Sequence, residues 1–169
     1  MPKLIKQRRV VEDSWQTLFL QPGEEPETMI IPPGPVLVPL AVWELQRLEL
    51  RERNDPVGVW LGPEDEPAVI ADDLVYLPVI AVRFPHFKDG RGYSTAALLR
   101  RRYGYTGELR AIGDVLRDQM FYLHRVGFDA FEPRADRCIE GALAALDDFS
   151  VTYQGAHVQD QPLFRRRAA

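Results

Sequence analysis

The chain of 169 residues has one cysteine, Cys138. A single thiol excludes an intramolecular disulfide and every Cys-x-x-Cys metal or redox motif. It fits a reducing compartment. Long apolar runs are also missing: none approaches the roughly 20 residues that span a bilayer. The start, Met1-Pro-Lys-Leu-Ile-Lys6, lacks the apolar segment of a signal peptide. A cytoplasmic protein without membrane contact is expected. No charge sign dominates, since 21 Lys and Arg face 25 Asp and Glu, a net charge of −4. That balance gives no global attraction for nucleic acid. His86, His124 and His157 lie far apart and form no metal-binding spacing, so no metal centre is expected. No flavin, nicotinamide, haem or iron–sulfur motif is present, and no cofactor is expected.

What remains is ample for a core: 46% of residues are apolar and 10% aromatic, which argues for one folded domain. Residues 1–35 hold short β-type stretches, Arg9 to Val11 and Thr17 to Leu20, broken by Gln21 to Pro26 and closed by Pro32-Pro-Gly-Pro35. They read as an N-terminal β arm packed on the main domain. Residues 36–150 read as an α/β domain, and residues 151–169, with Phe164-Arg-Arg-Arg167, as a loose tail.

Within the α/β part, Leu40 to Arg51 has helical composition, with Ala41, Leu45 and Leu48 on one face. Apolar strands follow at Val57–Leu61, Val79–Phe84, Glu108–Ile112 and Phe128–Phe131. Helices are expected after each, at 64–74, Ser94–Tyr103, Asp114–Val126 and Asp136–Phe149. Four such units predict a parallel sheet covered by helices. The candidates are a half-barrel resembling part of a (β/α)8 barrel, sealed by the N-terminal arm or by a partner chain, and an open flavodoxin-like sheet. Parallel edges need covering, which makes a homodimer the expected assembly.

The segment Phe84-Pro-His-Phe-Lys-Asp-Gly-Arg-Gly-Tyr-Ser94 follows the clearest strand. Ligands bind at such strand C-terminal ends. An anion pocket is expected from Lys88, Arg91 and the Gly92, Tyr93 and Ser94 backbone, with Ser94 capping the next helix. The competing reading is a tight turn closed by an ion pair between Asp89 and Arg91 or Lys88. Asp114 has the same placement one strand later, and reads first as a helix cap. Asp89, Asp114 and His86 are the candidates for acid/base chemistry. Arg110, Asp118 and Glu132 complete the rim. Arg83 and Arg110 lie inside strands; such cations either face a polar barrel interior or pair with a buried acid. Trp15, Trp43 and Trp60 read as core, Cys138 as packed, and Arg100-Arg-Arg102 as the solvated side of a helix.

Phe84 to Ser94, Gly107 to Gln119 and Gly127 to Glu132 resemble an uncharacterised bacterial family, domain of unknown function nine-three-four. Members carry a putative-oxidoreductase label. The family's genes commonly lie beside that of a sulfite or nitrite reductase haemoprotein. The resemblance implies a part in assimilatory sulfite reduction, as an accessory protein that binds the haemoprotein. The alternative is a small α/β enzyme acting on an anionic metabolite at the rim. The family supplies no catalytic residues to transfer.

Overall fold

The computed structural model describes residues 2–166. Eight strands form one sheet: β1 Lys3–Lys6, β2 Arg9–Glu12, β3 Gln16–Thr17, β4 Val36–Pro39, β5 Val57–Leu61, β6 Val79–Phe84, β7 Glu108–Gly113 and β8 Ala130–Phe131. Their order is β2-β1-β8-β7-β6-β5-β4-β3. From β3 to β8 all neighbours are parallel and each strand lies beside its predecessor. A flavodoxin-like sheet needs a reversal of strand order at a switch point. There is none here. The sheet curls in one direction into an α/β half-barrel.

The N-terminal residues serve both edges. β1 pairs antiparallel with β8, with Ile5 opposite Phe131, while β3 extends the other edge beside β4. A two-residue hairpin joins β1 to β2, with Gln7 and Arg8 at φ 50° and 58°. That is the type I′ geometry, which Asn-Gly fills without the side-chain clash. Replacing Gln7-Arg8 by Asn-Gly is expected to stabilise by about 1 kcal/mol and raise Tm by roughly 2–4 °C. Thermal unfolding followed by circular dichroism checks it; an unchanged or lower Tm counts against the strain.

Helices α1 Leu40–Arg51, α2 Arg91–Ala97, α3 Met120–Val126 and α4 Ile139–Ala144 cover the outer face, and α5 Leu163–Arg166 follows an irregular stretch. The outer core joins Val38, Val59, Ile80, Val82 and Phe84 of the strands to Trp43, Leu99 and Met120 of the helices. A smaller inner cluster holds Leu37, Val79, Ala81 and Ile112, with Trp15 and Trp60 half-buried against it. Strand alternation explains the division: successive side chains leave opposite faces.

Several helix predictions are corrected. Helix α1 buries Leu40, Val42, Trp43 and Leu50, whereas Leu45 and Leu48 are exposed. The Trp43 indole N–H donates to buried Asp73 at 2.7 Å, and that anchor sets the helix rotation. Residues 67–76 form a 3-10 helix that starts at Pro67. Helix α2 begins at Arg91, so Ser94 lies inside it and caps nothing. It runs into a π turn at Leu98–Arg102. There Arg100 is buried, not solvated: it donates to the Tyr105, Gly107 and Gly127 carbonyls and pairs with Asp129 at 2.8 Å. The expected helix from Asp114 starts only at Arg117, as a 3-10 turn leading into α3. The helix expected from Asp136 starts only at Ile139, as α4, and exposed Cys138 caps it by accepting the Gly141 N–H. Within 151–166 the chain is tied down, since the Arg125 guanidinium donates to the Gln154 carbonyl and His157 N–H donates to the Arg125 carbonyl. Arg167 lies outside the described residues. Among the described residues no helix is long and apolar enough to cross a membrane.

Candidate functional site

The sequence directed attention to Phe84–Ser94. In the structure this turn is fastened to its neighbours. Phe87 N–H donates to Asp114 Oδ2 at 2.8 Å, and the Phe87 carbonyl accepts from Gln119 Nε2 at 3.0 Å. Arg91 grips Asp89 through Nε at 3.0 Å and Nη2 at 2.7 Å, and also pairs with Glu64. The Arg91 hydrogen bonds hold the Asp89 carboxyl at about 2, well below its ordinary value. Gly92 has no positive φ. It is buried against the Phe84 ring, which a side chain there would strike, so its close approach serves helix packing. Tyr93 packs between Phe84 and Tyr122, and its hydroxyl accepts from Gln119. Lys88 lies exposed over the Phe87 ring, and His86, Ser94 and Asp118 are exposed.

Asp114 does not cap a helix. Its two oxygens tie the Phe87 amide to Arg134, which reaches Oδ1 at 3.0 Å. The Phe87 amide hydrogen bond, helped by Arg134, lowers its pKa. Asp89 and Asp114 are thus carboxylates held ionised by donors, which suits charge placement more than proton exchange.

The two strand arginines divide between the two fates expected of such residues. Arg110 is fully buried and meets Asp13 through Nη1 at 2.7 Å and Glu108 through Nη2 at 2.7 Å. Lys6 adds a further bond to Glu108. This ion cluster fills the middle of the inner face. Arg83 has no hydrogen bond and no carboxylate partner among the described residues. Its guanidinium stands 5.2 Å from the Phe19 ring centroid and 5.6 Å from that of Trp60. Trp60 in turn donates to the Leu18 carbonyl at 2.8 Å, which draws the segment after β3 across the inner face.

Arg83 borders a cavity of about 580 Å³ at the C-terminal ends of the parallel strands. Arg83, Ile112 and Glu132 come from β6, β7 and the residue after β8. Arg83 pairs in register with Ile112, and Glu132 N–H donates to the Ala111 carbonyl, which puts the three in one row. Lys3 and Phe19 enter from the N-terminal residues, and Arg134 and Arg137 from the loop after β8. Four cations and one carboxyl thus line the cavity, with Arg134 paired to Asp114 and Asp136 and Arg137 paired to Asp136. Glu132 makes no side-chain hydrogen bond among the described residues. Burial pushes its pKa up, Asp13 adds to the rise, and Arg110 opposes it.

Of the sequence-predicted rim, Glu132 lines this cavity and Asp114 braces it through Arg134. Lys88, Asp89, Arg91 and Ser94 do not line it. Lys3, Phe19, Arg134 and Arg137 were not foreseen. The strand-end rule carried two residues past Glu132 reaches Arg134; Lys3 and Phe19 leave no comparable signal.

A curled parallel sheet with helices outside and a cavity at its strand ends defines an α/β half-barrel of the kind that carries its sites at the strand-end rim. Residues 58–164 match the family described as bacterial protein of unknown function (DUF934), and the chain belongs to that family. The match takes in Arg83, Glu132, Arg134 and Arg137 but not Lys3 or Phe19. No curated protein and no solved structure matches the chain.

Proposed function

We propose that the half-barrel binds a small anionic metabolite in the strand-end cavity. The observation that carries this is Arg83, an inward guanidinium with no carboxylate partner among the described residues, flanked by Phe19 and Trp60. A cation left unpaired on a partly enclosed face is offset most directly by a ligand anion. The family resemblance supplies the setting, assimilatory sulfite reduction, with the chain as an accessory to the reductase haemoprotein in the cytosol. The exposed edges β2 and β3 are what a second copy would cover in a dimer. A second reading, a small enzyme on the same anion, is favoured by Glu132, a carboxyl with raised pKa inside the same cavity.

The test is thermal unfolding with sulfate and sulfite. Ligand at about 100 times Kd stabilises by about 2.7 kcal/mol, or roughly 5–10 °C for a chain of this size. Arg83→Ala is expected to abolish the rise while Arg91→Ala leaves it intact. No shift with either anion, or a shift that survives Arg83→Ala, overturns the proposal. Capture of the haemoprotein by the tagged chain tests the accessory role; no recovery where the haemoprotein is abundant removes it.

A further inference from the structure

We infer that the natural ligand is dipolar: an anion that also carries an ammonium group, with the anion on Arg83 and its neighbouring cations and the ammonium on Glu132. This rests on the anion-binding reading of the same cavity and specifies its ligand class. Three observations carry it. First, Glu132 is a half-buried carboxyl that lines the cavity and has no hydrogen-bond partner among the described residues. Second, no surrounding arginine bonds it among the described residues. Arg110 spends its donors on Asp13 and Glu108, and Arg134 bonds Asp114 and Asp136. Third, Glu132 and Arg83 stand at opposite ends of one row with apolar Ile112 between them. Two strand spacings separate their backbones by about 10 Å. Side chains reaching inward from both ends leave room for a ligand of several heavy atoms.

The chemistry follows from that separation. A bare oxyanion satisfies Arg83 but gives nothing to Glu132, and its charge repels the ionised carboxylate. A ligand that is anionic at one end and a cationic donor at the other satisfies both groups. The Ile112 side chain would face its uncharged middle. Amino acids with an anionic side chain have this form.

Two probes with one skeleton separate the cases. L-Cysteate carries a sulfonate, a carboxylate and an ammonium; 3-sulfopropionate lacks only the ammonium. Titration calorimetry at pH 7 is expected to show cysteate binding about tenfold tighter, equal to about 1.4 kcal/mol. Glu132→Gln is expected to reduce that preference to less than about twofold while sulfate binding is retained, a result that separates a ligand contact from loss of fold. Equal affinities for the two probes, or no binding of either by protein that binds sulfate, overturn the dipolar ligand and leave the anion site standing. Failure of sulfate itself to bind removes the anion site, and the dipolar ligand with it.

Discussion

Arg110→Ala is expected to lower the free energy of unfolding by about 3–5 kcal/mol, the cost of removing one partner from a buried ion cluster. The side chain is 1% exposed, and its removal strands Asp13 and Glu108, which are themselves buried. Lys6 still reaches Glu108, but no other cation bonds Asp13 among the described residues. Arg110→Lys is expected to recover only part of the loss, since an ammonium does not reproduce the fork that bonds both acids. Urea unfolding of the three proteins checks the ordering. An Arg110→Ala protein within about 1 kcal/mol of the parent would mean that water enters the inner face and solvates both acids.

The second large effect is expected at Gly113. This residue ends β7 at φ +94°, and a side chain there would collide with the Phe84 carbonyl oxygen. Gly113→Ala should cost about 3 kcal/mol, the left-handed backbone contributing roughly 1–2 and the collision roughly 1–3. Gly34 supplies the control: its φ is also +94°, but nothing lies within 4 Å. Gly34→Ala should therefore show the backbone part alone. Gly113 also precedes Asp114 and borders the cavity, so its alanine variant should bind sulfate more weakly. If the two alanine variants unfold at the same urea concentration, the collision with Phe84 is not real.

The half-barrel was legible because its central strands are largely apolar and buried, interrupted only by Arg83, Glu108 and Arg110. Val79–Phe84 and Glu108–Ile112 allow no solvent side, so helices must cover one face. The inner face was harder to read. Its centre is an ion cluster whose members, Asp13 and Arg110, are 97 residues apart, and no local periodicity links them. The same limit applies to the cavity. Arg83 was visible as a charge inside a strand and Glu132 as one at a strand end, whereas Phe19 arrives through the Trp60 hydrogen bond to Leu18, a contact between distant segments. The Phe84–Ser94 turn drew attention through its glycines and charges. Those residues bond mainly to one another, to Asp114 and to Gln119, and they hold the rim in place from outside the cavity. Helix α1 was misread in rotation because Trp43, the residue that fixes it, does so through a polar contact with Asp73 that apolar spacing does not encode.

The placement of β1 bears on how the molecule assembles. During synthesis residues 3–6 emerge well before their partner Phe131, which follows more than a hundred residues later. Closing so long a loop is a slow step. The β1–β2 hairpin must wait beside a growing sheet whose β8 edge does not yet exist. Lys3 reaches the strand-end cavity only after that final pairing. Completion of the cavity is thus a late event of folding, because the β4–β7 strands can pair before Lys3 arrives to close its wall.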